Sequence, residues 1–220
     1  MLVVKAVIFD MYETLITLFE SPLYFGTQIA YDAGIEEEKF QEMWRTAEAD
    51  RTIGKITLEE IMEKILKINR CYSETKMNFI VNKRIKSKEE AFKHLHKDII
   101  PMLETLKKKG IQIGLISNCF SEEALVIKKS VLYPYFDAVC LSFDEGLQKT
   151  DPAIFKRCME RLNVQAESCL YVGDGGSNEL EAAERIGMKA VQAVWYLKEG
   201  TSQPSKRKKE FKQIEAPLDI

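Results

Sequence analysis

The chain has no apolar run approaching the roughly eighteen residues that a membrane span needs. Nor does it open on a long apolar segment followed by small residues; it enters a strand-like stretch holding Lys5 and Asp10, so no secretory leader is expected and the chain is read as cytoplasmic. No CxxC pair or zinc-type spacing occurs. The five cysteines, Cys71, Cys119, Cys140, Cys158 and Cys169, are an odd set, which suits reduced and mostly buried thiols better than a disulfide framework. A large excess of charge of one sign is missing too. A formal net charge of -2 gives no whole-molecule attraction to nucleic acid or to an anionic membrane, so any charged ligand must be recognised locally. Only two histidines are present, His94 and His96, and as an isolated HxH pair they are read as solvated helix positions rather than metal ligands. What is there is ordinary for a globular protein: 220 residues, 45% hydrophobic and 30% charged, enough for one good core and an accessory unit.

Three stretches share one form, an apolar run ending in polar groups. In VVKAVIFDMYETL, residues 3 to 15, Val3, Val4, Ala6, Val7, Ile8 and Phe9 lead into Asp10, and Thr14 follows four residues later. A continuous β-branched and aromatic run reads as a strand buried on both faces. A carboxylate at the end of such a strand stands over the crevice where open α/β sheets bind ligands. The second stretch, IQIGLISN, ends in Ser117 and Asn118. The third, CLYVGDGGSNE, ends in Asp174 and Glu179. Between these two, Lys149 precedes Asp151 and Pro152, an N-cap and first helical residue.

From residue 16 to about 90 the strand pattern stops. Helices are predicted from Ser21 to Ala33 ending at Gly34, from Glu36 to Ile53 ending at Gly54, and after a capping box of Thr57 with Glu60 ahead of Ile61, Ile65 and Leu66. Ser87 with Glu90 repeats that capping signature near the exit. Four or five successive helices cannot belong to an alternating βα core, so residues 16–90 are assigned to a small helical cap domain over the site. From Ala91 the alternation resumes: helices 98–109, 122–132, 152–162 and 178–186, with strands 111–116, 138–142, 169–172 and 190–194. This predicts an α/β fold, a doubly wound, mainly parallel sheet. The polar end from Lys198, with KRKKEFK after Ser205, reads as a solvated, partly helical tail.

Asp10, Ser117, Lys149 and Asp174, in that order, resemble the four sequence motifs of the haloacid dehalogenase-like hydrolases. The resemblance implies a Rossmann-like core of residues 1–15 and 91–220 under the cap. It also implies that Asp10 attacks the substrate as a nucleophile, and that Mg²⁺ is held by Asp10, the backbone carbonyl of Tyr12 and Asp174. A metal is needed because two anions otherwise repel. Glu179 then supports the metal or a neighbouring side chain, Thr14 belongs to the first motif, Ser117 and Asn118 bind phosphoryl oxygens, and Lys149 offsets charge between nucleophile and phosphate.

Tyr12 departs from the phosphatase pattern, which has a second Asp there to protonate the leaving oxygen. DxYxT is similar instead to the L-2-haloacid dehalogenases, in which Asp attacks carbon without a metal. Those enzymes lack an acidic residue at the position of Asp174 and carry a tyrosine where this chain has Phe155. The expected function is therefore a Mg²⁺-dependent phosphatase of a small phosphorylated metabolite, working as monomer or homodimer without nucleic acid or membrane partners. A metal-independent dehalogenase, or a phosphate binder with little turnover, is the alternative. Arg51, close to Gly54 in the cap, is the candidate for touching the distal part of the substrate, against the plainer reading of a helix-surface arginine. Phe40 and Trp44 on the same helical face are read as core, and Cys119 as an unreactive thiol beside the site.

Overall fold

The computed structural model describes residues 4–198, 203 and 205–220; Val3 and residues 199–202 and 204 of the predicted tail lie outside them. The stretch AVIF forms β1 (Ala6–Phe9), and all four of its side chains are buried. Such burial on both faces is the natural state of an unbroken apolar run in a parallel sheet. With β2 (Gln112–Ser117), β3 (Ala138–Leu141), β4 (Cys169–Gly173), β5 (Lys189–Ala193) and β6 (Lys212–Ile214) it makes one sheet in the order β3-β2-β1-β4-β5-β6. Every neighbouring pair is parallel. Phe9 pairs with Leu115 on one side and Val172 on the other, which levels the ends of the three central strands. Strand order reverses direction at β1, the place where sheets of this kind bind ligands.

Between β1 and β2 the chain leaves the sheet for five helices: α1 (Gly26–Ala33), α2 (Glu37–Thr46), α3 (Glu48–Thr52), α4 (Leu58–Ile68) and α5 (Glu74–Ala91). They bury an apolar cluster of their own, centred on Ile29, Phe40, Ile61, Ile65, Leu66 and Ile80. Gly34 ends α1 in the left-handed conformation, and Thr57 with Glu60 caps α4 reciprocally, both as the residue types demand. Three expectations fail. The helix predicted from Ser21 begins only at Gly26. The predicted helix 36–53 breaks at Ala47 into α2 and α3. Ser87 and Glu90 start no helix but lie inside α5, because no glycine or proline precedes Ser87 to stop it; the Ser87 hydroxyl donates instead to the Pro22 carbonyl at 3.0 Å.

Alternation along β1 divides the core. Val7 and Phe9 face α6 (Ile99–Lys108) and α7 (Ser121–Lys129), while Ala6 and Ile8 face α9 (Pro152–Leu162) and α10 (Glu179–Arg185), with the short α8 (Ser142–Glu145) following β3. The insertion meets the core at a knot of buried charges. Arg84 Nε lies 3.0 Å from Glu122 Oε1, Lys88 Nζ 2.8 Å from Glu123 Oε1, and Arg51 Nη2 3.5 Å from Glu122 Oε1. Gly54 touches the core as well: its φ is +75°, and a Cβ there would run into the Phe143 carbonyl oxygen.

The basic end is the largest correction. Phe211 is buried and Lys212–Ile214 pairs in parallel with β5, so the predicted solvated tail supplies the sixth strand. A three-residue strand amid charges carries too little alternation to read. His94 and His96 sit in the link after α5 rather than on a helix, and His96 Nδ1 accepts from the Asp98 amide at 3.2 Å. The cysteines are free thiols, four buried and Cys71 half-buried. No helix among the described residues is long and apolar enough to cross a membrane.

Candidate active site

Asp10 follows β1 directly and is 2% exposed. Its Oδ1 accepts from Lys149 Nζ at 2.6 Å and its Oδ2 from the Thr14 hydroxyl at 3.3 Å. The next residues turn sharply, with Glu13 at φ +59°, a left-handed conformation fixed by bonds from Thr17 and the Leu18 amide to its carboxylate. Lys149 comes from the loop before α9. Its amide donates to Asn118 Oδ1 at 2.9 Å, so the second motif's asparagine aims the lysine. Burial disfavours the Lys149 ammonium, but the carboxylates of Asp10, Glu179 and Asp174 together outweigh it and raise its pKa.

Asp174 sits on the loop after β4, and Glu179 opens α10 at the end of that loop. The Glu179 carboxylate accepts from the amides of Gly175 at 2.7 Å and Ser177 at 2.8 Å, and Asp174 Oδ1 accepts from the Gly176 amide at 3.1 Å. Glu179 thereby orders the loop that presents Asp174. Burial would raise its carboxyl, yet Lys149 and those amides hold it below the usual range. Burial and Glu179 push the Asp10 carboxyl up against the pull of Lys149. Asp174 is pushed up to about 8, first by burial and then by Asp10 and Glu179.

Asp10, Asp174 and Glu179 each offer an oxygen within 4.8 Å of the others. Lys149 is the cation that all three feel, which leaves an excess of negative charge; the upward displacement of Asp174 is its signature. A set of hard carboxylate oxygens with uncompensated charge suits a divalent cation of the Mg²⁺ or Ca²⁺ type. The residues present therefore fit such an ion.

Ser117 ends β2 fully buried, and its hydroxyl donates to the Asn118 carbonyl at 3.3 Å. Tyr12 is half-buried and its hydroxyl meets no partner among the described residues. Burial, Glu123 and Glu122 raise the phenol well above its ordinary value, and Lys88 Nζ lies 5.6 Å from its ring. The side chain thus belongs to the charged knot beneath the insertion. Arg51, read as a surface residue on the plainer view, is 1% exposed, its guanidinium carbon 3.7 Å from the Trp44 ring centroid and 3.9 Å from that of Phe120. Phe40 is buried and stacks on the half-buried Trp44 at 5.5 Å. The Cys119 thiol is driven up by burial, as an unreactive group should be. A crevice of about 550 Å³ opens between Arg45, Glu48 and Thr52 of the insertion and Asn118, Phe120 and Ser177 of the core.

Four residues went unnoticed in the sequence. Trp195 Nε1 donates to the Thr14 carbonyl at 2.8 Å, and Gln203 Nε2 to Glu13 Oε2 at 3.1 Å. Ser205 donates to Asp174 Oδ2, and Gln192 Nε2 to the Asp174 carbonyl at 2.8 Å. Only Gln192 gave a signal, as an amide within the apolar run AVQAV that must find partners once buried.

The chain is 25% identical over 198 residues to a glyceraldehyde 3-phosphate phosphatase of Methanopyrus kandleri, covering 86% of this chain and 83% of that protein. It is 29% identical over 106 residues to the N-acylneuraminate-9-phosphatase of Rattus norvegicus, covering 48% of this chain and 42% of the rat protein. A crystal structure of a HAD phosphatase from Thermococcus onnurineus superposes with a TM-score of 0.67 at 22% identity, covering 98% of this chain and 95% of the other. A 2-haloacid dehalogenase from Pseudomonas syringae pv. Tomato DC3000 shares the fold equally well, at TM-score 0.67, 19% identity and coverage of 98% and 96%. The family model for haloacid dehalogenase-like hydrolases matches residues 4–187, and the chain belongs to that family of hydrolases.

Proposed function

We propose that the chain is a Mg²⁺-dependent phosphatase of a small phosphorylated metabolite, with Asp10 as nucleophile. The observation that carries this reading is the meeting of Asp10, Asp174 and Glu179 over the sheet, with Lys149 on Asp10. Asp10, the Tyr12 carbonyl and Asp174 would hold the ion, which when bound draws charge from the phosphoryl group and lets an anionic nucleophile approach. Lys149 holds one oxygen of Asp10 and Thr14 the other, so the carboxylate is aimed before substrate arrives. Ser117 and Asn118 bind phosphoryl oxygens. Attack of Asp10 on phosphorus breaks the bond to the ester oxygen, which leaves as the alkoxide and takes a proton from water, and forms an aspartyl-phosphate; a second water then attacks that phosphorus, regenerating the carboxylate and releasing phosphate. The helical insertion acts as a cap that excludes bulk water, with Arg51 set toward the distal part of the substrate. The two phosphatase relatives named above act, by their names, on small phosphorylated metabolites, which supports the same class of substrate here.

Phosphate release from p-nitrophenyl phosphate tests the reading. Activity should require added Mg²⁺, stop with EDTA and vanish in Asp10→Asn; persistence under either treatment rejects the mechanism. Tyr12 favours a second reading, a dehalogenase in which Asp10 attacks carbon. That reading demands halide release from a 2-haloacid in EDTA, and the excess of carboxylates around Asp10 speaks against it.

A further inference from the structure

The segment leading into β6 crosses the loop that bears Asp174. Ser205 is 7% exposed, and its hydroxyl donates to Asp174 Oδ2, while Oδ1 takes the Gly176 amide at 3.1 Å. One oxygen is thus held from two residues away and the other from 31 residues further along the chain. The long-range contact has its own anchor. Gln192, fully buried on β5, donates through Nε2 to the carbonyls of Asp174 at 2.8 Å and Lys206 at 2.7 Å, and its Oε1 accepts from the Lys208 amide at 2.8 Å. One amide therefore ties the crossing segment to the carboxylate's own backbone. The approach is close: a Cβ on Gly176 would lie 2.9 Å from Ser205 Oγ, which explains a second glycine after Gly175. Gln203 of the same segment reaches Glu13 in the loop after Asp10.

The last torsion of an aspartate is soft and broad, so a carboxylate held at one oxygen still swings about that bond. A second donor on the opposite oxygen fixes its plane. We infer that Ser205 is a positioning residue, fixing the Asp174 carboxylate to receive a divalent cation shared with Asp10, and that Gln192 keeps Ser205 in place. The inference rests on the metal-dependent reading above. Each Asp174 oxygen keeps further lone pairs beyond the one its hydrogen bond engages, so orientation is set without blocking an ion.

Calorimetric titration of the metal-free full chain with MgCl₂ tests this. Removing an outer partner of a metal ligand costs on the order of 10- to 100-fold in metal affinity. Ser205→Ala should weaken Mg²⁺ binding by that factor and leave the melting temperature of the metal-free protein within about 2 °C of the original, as expected for less than about 1 kcal/mol at this size. Ser205→Thr, which keeps the hydroxyl, should bind as the original chain does. Equal Mg²⁺ affinity in Ser205→Ala and the original chain overturns the inference and leaves the metal-dependent reading standing. Failure of the original chain to bind Mg²⁺ overturns that reading, and the inference with it. If Ser205→Ala does not fold, Ser205→Cys, whose S–H is a weak donor of similar size, serves in the same comparison.

Discussion

Lys149→Met keeps most of the length of the side chain and removes the cation that acts on Asp10, Asp174 and Glu179 alike. The pair it breaks is 2.6 Å long, with side chains 4% and 3% exposed. Stripping one partner from a buried ion pair costs about 3–5 kcal/mol. A second route gives a similar figure. The stranded Asp10 carboxylate can escape by taking a proton, at about 1.4 kcal/mol for each pH unit above its unfolded pKa of about 4, which caps the loss near 4 kcal/mol at pH 7 and near 1.5 kcal/mol at pH 5. The sign follows from the direction of the shift. A carboxyl whose folded pKa is raised penalises folding only above its unfolded value, so the penalty is absent below about pH 4 and grows as pH rises. Urea unfolding of both proteins in EDTA at pH 5, 6 and 7 reads this directly. A loss below 1 kcal/mol at pH 7, or one of the same size at pH 5 and pH 7, would refute the view that Lys149 neutralises a crowded carboxylate site.

Asp174, pushed up to about 8, must lose a proton to take a metal. Apparent Mg²⁺ affinity should therefore rise about tenfold per pH unit up to about pH 8 and then level; a flat profile from pH 6 to 8 contradicts the shift. Gly54→Ala meets a positive φ and the Phe143 carbonyl. The backbone strain alone costs on the order of 2 kcal/mol, so the melting temperature should fall by about 4–8 °C, and a change under 1 °C shows that the insertion does not seat there. Tyr12→Asp supplies the acid that the first motif lacks and should raise turnover of alkyl phosphates about 100-fold, with less gain for aryl phosphates, whose leaving group needs no proton; equal rates on alkyl esters show that the acid is not what limits turnover.

The sheet and its site were legible because their signals are strong and local. An unbroken apolar run such as AVIF has few other homes than a two-faced strand, and helix α9 came out at its observed ends because Asp151 and Pro152 start it and Leu162 closes its apolar face. The residues that converge at the strand ends, Asp10, Lys149 and Asp174, stand after such runs or before such caps. What escaped depends on contacts distant in sequence. Nothing near Ser205 announces Asp174, and nothing in KRKKEFK announces a strand, since β6 exists only because β5 offers it an edge. The plainer reading of Arg51 as a helix-surface residue fails for a related reason: part of its cover comes from Phe120, which the chain reaches 69 residues later. Ser87 with Glu90 matched a cap by type, but a cap needs a helix start, and Asn82–Lys86 gives no reason to stop one.

The ionic contact between the helical insertion and α7 has a consequence for how the two halves separate. Were that seam to part, water would solvate Arg51, Arg84, Lys88, Glu122 and Glu123, returning hydration that each surrendered on closing. A greasy seam would bare a sticky face prone to self-association. This one exposes five charged groups beside the Trp44 and Phe120 rings, so molecules caught ajar should self-associate less than an all-apolar seam would make them.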